Sequence, residues 1–342
     1  MKGNIPRILV ENGFDPFNYD LDELYKAGKS NMLDNIEFYY DKEYSCKSVL
    51  KSLFVAGILE FIKNQGKSKI DIIVEKKTKE IADENKKITE KSREITQSIQ
   101  YARSLQRSTL PSISKINRYL RNHFLYYIPK DIIGGDFFWF ENINNCLFFA
   151  VADCTGHGVP GGMVSLVCSN ALNKCVNELK LTNTSEILNE SRKLIIDSFS
   201  KNEESLNDGM DIILCKFNLD SRILEFSGAN RPLWIMRNEN KILEEYKTDR
   251  QPVGNFIITK PFSTFEVELK PNDIIYMFSD GYVDQFGGED ESKFKTSRFK
   301  DLINQMKYLQ MKEQEGLIKK NFDDWKGGFE QTDDVCVWGI MV

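Results

Sequence analysis

The chain has 342 residues, room for about two to three domains. Its 46 Lys and Arg against 51 Asp and Glu leave a net charge of −5, which gives no basic footprint for nucleic acid, and its 2 histidines exclude a multi-histidine zinc cage. The 7 scattered cysteines form no C-x-x-C pair and read as reduced thiols of a cytoplasmic protein, and no stretch reaches the roughly 18 apolar residues of a membrane span.

Residues 1–69 mix aromatic and charged side chains without a strong period and show no site chemistry. Leu50, Leu53, Phe54, Ile58, Phe61 and Ile62 fall at helical spacing and predict a helix near 44–64. From 70 to 110 the texture changes. Val74, Ile81, Ile88, Ile95 and Ala102 recur every seventh residue, and there is no Pro or Gly from Ser68 to Thr109. This predicts a long exposed linker helix over 70–112, with coiled-coil character. The second row, Thr78, Asn85, Ser92, Ile99 and Gln106, is polar except for Ile99, so the pairing is marginal. A homodimer through helix 70–110 is expected, and Asn85 favours a parallel, in-register pair. The helix stops near Leu110-Pro111, because the residue before proline avoids helical backbone.

From 115 to 342 short apolar runs alternate with turn signals. Strands are predicted at 124–128, 137–140, 146–152, 211–217, 223–226, 233–236, 265–269, 274–278 and 335–342. Helices are predicted near 160–179, 184–201, 297–308 and 311–324. Strands interrupted by helices in pairs fit an α+β fold, most simply an antiparallel β-sandwich flanked by helices.

Aspartates stand at the ends of these runs. Asp136 follows Gly134-Gly135, Asp153 closes Leu147–Ala152, Asp280 closes Ile274–Ser279, and Asp333 and Asp334 precede the last strand. One such residue is an ordinary turn Asp. Several at the lips of buried strands need compensation, and acidic ligands without His or Cys partners suit hard cations, Mn2+ or Mg2+. Gly156-His157-Gly158-Val-Pro-Gly-Gly162 lies between the run ending at Asp153 and an apolar helix. It reads either as a tight strand-to-helix turn or as a backbone cradle for phosphate at a helix N-terminus.

In order, Gly134-Gly-Asp-Phe-Phe138, Asp153-Cys-Thr-Gly-His-Gly-Val-Pro-Gly161, Asp208-Gly-Met-Asp211, Phe226-Ser-Gly-Ala-Asn-Arg-Pro232, Pro252-Val-Gly254, Phe278-Ser-Asp-Gly281, Asp284-Gln-Phe-Gly-Gly288 and Gln331-Thr-Asp-Asp334 resemble the SpoIIE-like (RsbU-like) bacterial serine/threonine phosphatases of the metal-dependent protein phosphatase (PPM) family. The resemblance covers residues 122–342 and leaves 1–69 uncovered. It implies a PPM-type β-sandwich with two Mn2+ or Mg2+ ions at one edge. By motif, Asp136 and Asp153 hold the metal site, Asp153 as the bridging carboxylate. The Cys154 carbonyl is a further contact, and Asp280, Asp333 and Asp334 complete the shell. Asp334 replaces an Asn of eukaryotic relatives. His157 either protonates the leaving group or positions its loop. No basic residue stands where eukaryotic relatives place a phosphate-binding arginine, and Arg231 and Lys130 are the substitutes considered. The implied reaction is hydrolysis of phosphoserine or phosphothreonine by a metal-activated water, without a covalent enzyme intermediate. A STAS-domain anti-sigma-factor antagonist is the substrate type the resemblance implies, within partner switching. The competing readings are a PPM-fold signalling module with weak or no turnover, and a phosphohydrolase acting on small molecules.

Overall fold

The computed structural model of the protein describes residues 56–57, 69–200, 208–257 and 259–342. Apart from residues 56–57, which are helical, the helix expected near 44–64 lies outside the described residues. The chain divides into two units, residues 1–91 and 92–342. Helix α1 spans Lys69–Thr109, within a residue of the expected start. Val74, Ile81, Ile88 and Ile95 are all exposed along it. Gln106, a member of the polar row, is instead buried. No described helix is long and apolar enough to cross a membrane.

Within the second unit, Leu110-Pro111 ends α1 and a short α2 follows, Ile113–Tyr119. The Ser112 hydroxyl accepts from the Lys115 amide at 3.2 Å and caps it. Among the described residues thirteen strands then alternate with helices: β1 His123–Ile128, β2 Phe137–Ile143, β3 Cys146–Cys154, β4 Gly209–Asn218, β5 Ile223–Ala229, β6 Leu233–Met236, β7 Leu243–Tyr246, β8 Val253–Gly254, β9 Phe265–Glu268, β10 Ile274–Phe278, β11 Phe286–Gly287, β12 Ser292–Lys293 and β13 Val335–Met341. One large sheet has the order β1-β13-β10-β6-β7, the other β2-β3-β4-β5-β9 with β8 paired to β4, and β11 and β12 form a small ribbon of their own. All these strand pairs are antiparallel. The β2–β3 hairpin turns through Asn144 and Asn145, both at positive φ (49° and 60°), the left-handed backbone a two-residue turn requires.

The apolar runs are explained by burial on both faces. Phe138, Phe140, Phe149, Val151, Ile213 and Cys215 of one sheet meet Ile235, Ile275, Met277, Trp338 and Ile340 of the other. The outer face of the first sheet packs under α3 (Gly158–Asn173) and α4 (Thr184–Phe199), where Trp139, Phe148 and Ala150 meet Cys168, Leu172, Leu188 and Ile195. The outer face of the second packs under α6 (Lys295–Met306) and α7 (Met311–Lys326); a short α5, Gly281–Asp284, precedes them. There Tyr276, Phe278 and Val337 meet Phe299, Ile303 and Phe322. The expected α+β sandwich flanked by helices is thus the observed fold. The helix expected over 160–179 is α3 continued by a π turn, Lys174–Glu178. The six described cysteines are free, and all but Cys146 are buried.

Candidate functional site

Strand ends from both sheets meet at one edge of the sandwich and bring the aspartates together. Asp136 immediately precedes β2 and is buried, and its Oδ2 has no hydrogen-bond partner. Burial raises its pKa most. Asp153 raises it further, Ser279 lowers it by a hydrogen bond, and Asp334 and Asp280 raise it again. Asp153, near the end of β3, lies opposite Asp211 in β4. Its pKa is raised by burial, lowered by Arg231 and raised by Asp280 and Asp333. Asp280 follows β10 and opens α5. Gly281 after it must lack a side chain, because a Cβ would collide with the Asp334 carbonyl oxygen. Asp136, Asp153, Asp280, Asp333 and Asp334, which the sequence spreads over some two hundred residues, therefore act on one another directly.

Asp334 differs from the others. Its Oδ1 accepts from the Lys130 amide at 2.7 Å and its Oδ2 from the Gly135 amide at 2.5 Å. Burial raises its pKa and these amides lower it. It fixes the loop that presents Asp136. The Cys154 thiol is buried and its pKa is raised, chiefly by burial, so it stays a neutral packing group. Its carbonyl faces the glycine loop: a Cβ on Gly135 would stand 3.1 Å from it. Gly161 is bound by the same crowding, since its Cβ would strike the Gly156 carbonyl.

His157 stands at the N-cap of α3. Its Nδ1 is 3.0 Å from Asp131 Oδ2 and its Nε2 is 3.3 Å from Lys130 Nζ. Both partners belong to the loop before β2, whose Lys130 amide also holds Asp334. Lys130 is thereby engaged with His157.

Asn230 has no role in the sequence reading, and Arg231, considered there as a substitute for a phosphate-binding arginine, turns to the aspartates instead. Arg231 Nη2 donates to Asp153 Oδ2 at 2.7 Å, to Asp280 Oδ2 at 2.7 Å and to Asp211 Oδ2 at 3.4 Å. Asn230 Nδ2 donates to Asp211 Oδ1 at 2.7 Å. Burial works against the Arg231 charge, but Asp153 and Asp280 outweigh it and raise its pKa. Asn230 and Arg231 both lie inside the Phe226–Pro232 motif segment, which says nothing of their convergence on Asp211, Asp153 and Asp280.

The donors fit a hard divalent cation in kind: oxygen only, acidic, with one buried carboxylate oxygen unpartnered. Among the described residues no group of three or more His, Cys, Asp or Glu side chains is arranged as it stands to hold a metal ion. The cation that Asp153, Asp280 and Asp211 hold in this structure is the Arg231 guanidinium.

Among solved structures, the fold resembles the SiaA-PP2C domain of Pseudomonas aeruginosa, with 27% identity and a TM-score of 0.67, over 73% of this chain and 98% of that one. It also resembles the PP2C phosphatase domain and regulatory fragment of SpoIIE from Bacillus subtilis, with 17% identity and a TM-score of 0.51, over 65% of this chain and 63% of that one. The RsbU and RsbW domains of a Mycobacterium tuberculosis protein match at 18% identity and a TM-score of 0.51, over 64% of this chain and 60% of that one. No curated protein matches. The family model for Stage II sporulation protein E (SpoIIE) matches residues 144–342, more than half of the sequence, and the chain belongs to that family of PP2C-type phosphatases.

Proposed function

We propose that the protein is a metal-dependent serine/threonine protein phosphatase whose catalytic domain spans residues 115–342. The observation that carries this reading is the convergence of Asp136, Asp153, Asp280 and Asp333, each delivered by a different strand end, around a buried carboxylate oxygen without a partner. In this reading Asp136, Asp153, Asp280, Asp333 and the Cys154 carbonyl hold two Mn2+ or Mg2+ ions, and Asp334 contributes chiefly by fixing the Asp136 loop. When bound, such ions would activate a water and neutralise charge on a phosphoryl group.

The chain's own groups supply the rest. The backbone of Gly156–Gly162 and the N-terminus of α3 offer amide donors to phosphoryl oxygens. His157 positions that loop through Asp131, a role its two contacts favour over proton transfer. Burial of the Cys154 thiol supports a reaction in which water, not a side chain, attacks phosphorus. The substrate class is a phosphoserine or phosphothreonine protein in bacterial partner switching, of the STAS-domain anti-sigma-factor antagonist type. The setting is the cytoplasm, and two copies pair through helix 70–110.

The test is release of phosphate from a phosphoserine peptide in the presence of Mn2+ or Mg2+. Turnover should require the metal and be abolished by Asp153→Asn and by Asp280→Asn, both of which preserve side-chain shape. Near wild-type turnover in either variant at saturating metal would show that residue's assignment to be wrong. A metal-bound protein without turnover would mark an inactive signalling module. Turnover of small phosphoesters alone would mark a small-molecule phosphohydrolase.

A further inference from the structure

We propose that Arg231 is a tethered counter-cation of the aspartate cluster, which holds Asp153 and Asp280 together before ions bind and must withdraw for them to bind. The inference rests on the metal reading above and adds a competition that sets how much metal the site needs.

The contrast with Arg237 carries the argument. Arg237 spends all its nitrogens. Its Nε donates to Glu244 Oε2 at 2.8 Å and its Nη1 to the Glu268 carbonyl and Asp273 Oδ2, each at 2.9 Å. Its Nη2 donates to the Tyr246 hydroxyl at 3.1 Å. That is an arginine built to stay. Arg231 divides a single nitrogen, Nη2, among Asp153, Asp280 and Asp211, while its Nε is buried with no partner. An amino group with two hydrogens cannot serve three acceptors well, and the longest contact, 3.4 Å to Asp211, shows the shortfall. A buried donor without an acceptor costs free energy that withdrawal toward water would recover.

Its backbone, by contrast, is pinned. The Thr248 hydroxyl donates to the Arg231 carbonyl at 2.8 Å, and the Asn230 amide donates to the Asp249 carbonyl at 2.8 Å. The Arg231 amide itself donates to the Ala229 carbonyl at 2.7 Å. Only the side chain is free to swing. Without any cation, Asp153 and Asp280 would repel across a partly buried gap. With Arg231 present that repulsion is offset in part, but by a planar group that lies between them. An entering divalent ion competes for the same oxygens, so the two cations exclude one another.

Isothermal titration of full-length protein with MnCl2 and thermal unfolding in chelator together test this. Arg231→Gln should bind Mn2+ about tenfold or more tightly than wild type, the scale of a lost close charge pair. In chelator, Arg231→Gln should unfold several degrees lower, and saturating Mn2+ should erase that deficit. Arg231→Lys, which keeps the charge on a shorter head, should lie between the two in affinity and guards against a misfolded Gln variant. Equal or weaker Mn2+ affinity in both folded variants would overturn the tethered-cation role. A wild-type protein and variants that bind no Mn2+ at all would overturn the metal reading itself.

Discussion

Gln106, in the last turn of α1, donates from Nε2 to the Gly134 carbonyl at 2.6 Å and to the Ser165 hydroxyl at 2.8 Å. Ser165 passes the bond on to the Gly162 carbonyl at 2.8 Å. One side chain thus ties the helix end to the loop before Asp136 and to α3. Gln106→Ala leaves a buried carbonyl without a donor and should cost about 1–3 kcal/mol, read as a lower urea midpoint at unchanged slope. The aspartates were legible in the sequence because a carboxylate at the lip of an apolar run is out of place on its own. Arg231 and Asp211 were not, since their meaning lies in what they touch across strands β3, β4 and β10. The anchoring by Gln106 was hidden for a related reason. Its heptad position put it in a polar row, and only packing shows that this turn is covered.

At the scale of elements, α1 is the least satisfied. Val74, Ile81, Ile88 and Ile95 are 57%, 56%, 63% and 60% exposed in the single chain, a row of large apolar side chains in water. Pairing with a second copy would cover them, and the polar neighbours would keep such a pairing weak. Ile81→Asp combined with Ile88→Asp should therefore move the protein toward monomer in sedimentation velocity and change its metal affinity or turnover. A monomeric variant with unaltered kinetics would separate pairing from control, and a wild type monomeric at tens of micromolar would remove the pair. The strands were legible for the opposite reason. Covered on both faces, they read as near-continuous apolar runs, so β6 and β10 match their predicted limits. Strand β7, Leu-Glu-Glu-Tyr at a sheet edge, carries no such run, and β8, β11 and β12 have two residues each, too few to show a period.

Across the whole second unit, the strands whose ends carry the aspartates run in both directions at the site. β3 and β10 arrive at it, at Cys154 and Phe278, while β2 and β13 leave it, at Phe137 and Val335. Asp153 and Asp211 belong to one sheet, and Asp280 and Asp333 flank strands of the other. An ion held there would be a fastener between two leaves, set at one margin of the book and leaving the opposite margin to open. Local opening should then become graded once Mn2+ is added. Amide hydrogen exchange should slow most at Ala152, Phe278 and Cys336 and least at Leu147, Ile274 and Met341, the far ends of the same strands. Uniform slowing along all three strands would mean that the ion acts only on global unfolding. A gradient would mean that the far margin keeps breathing while the reactive margin is clamped.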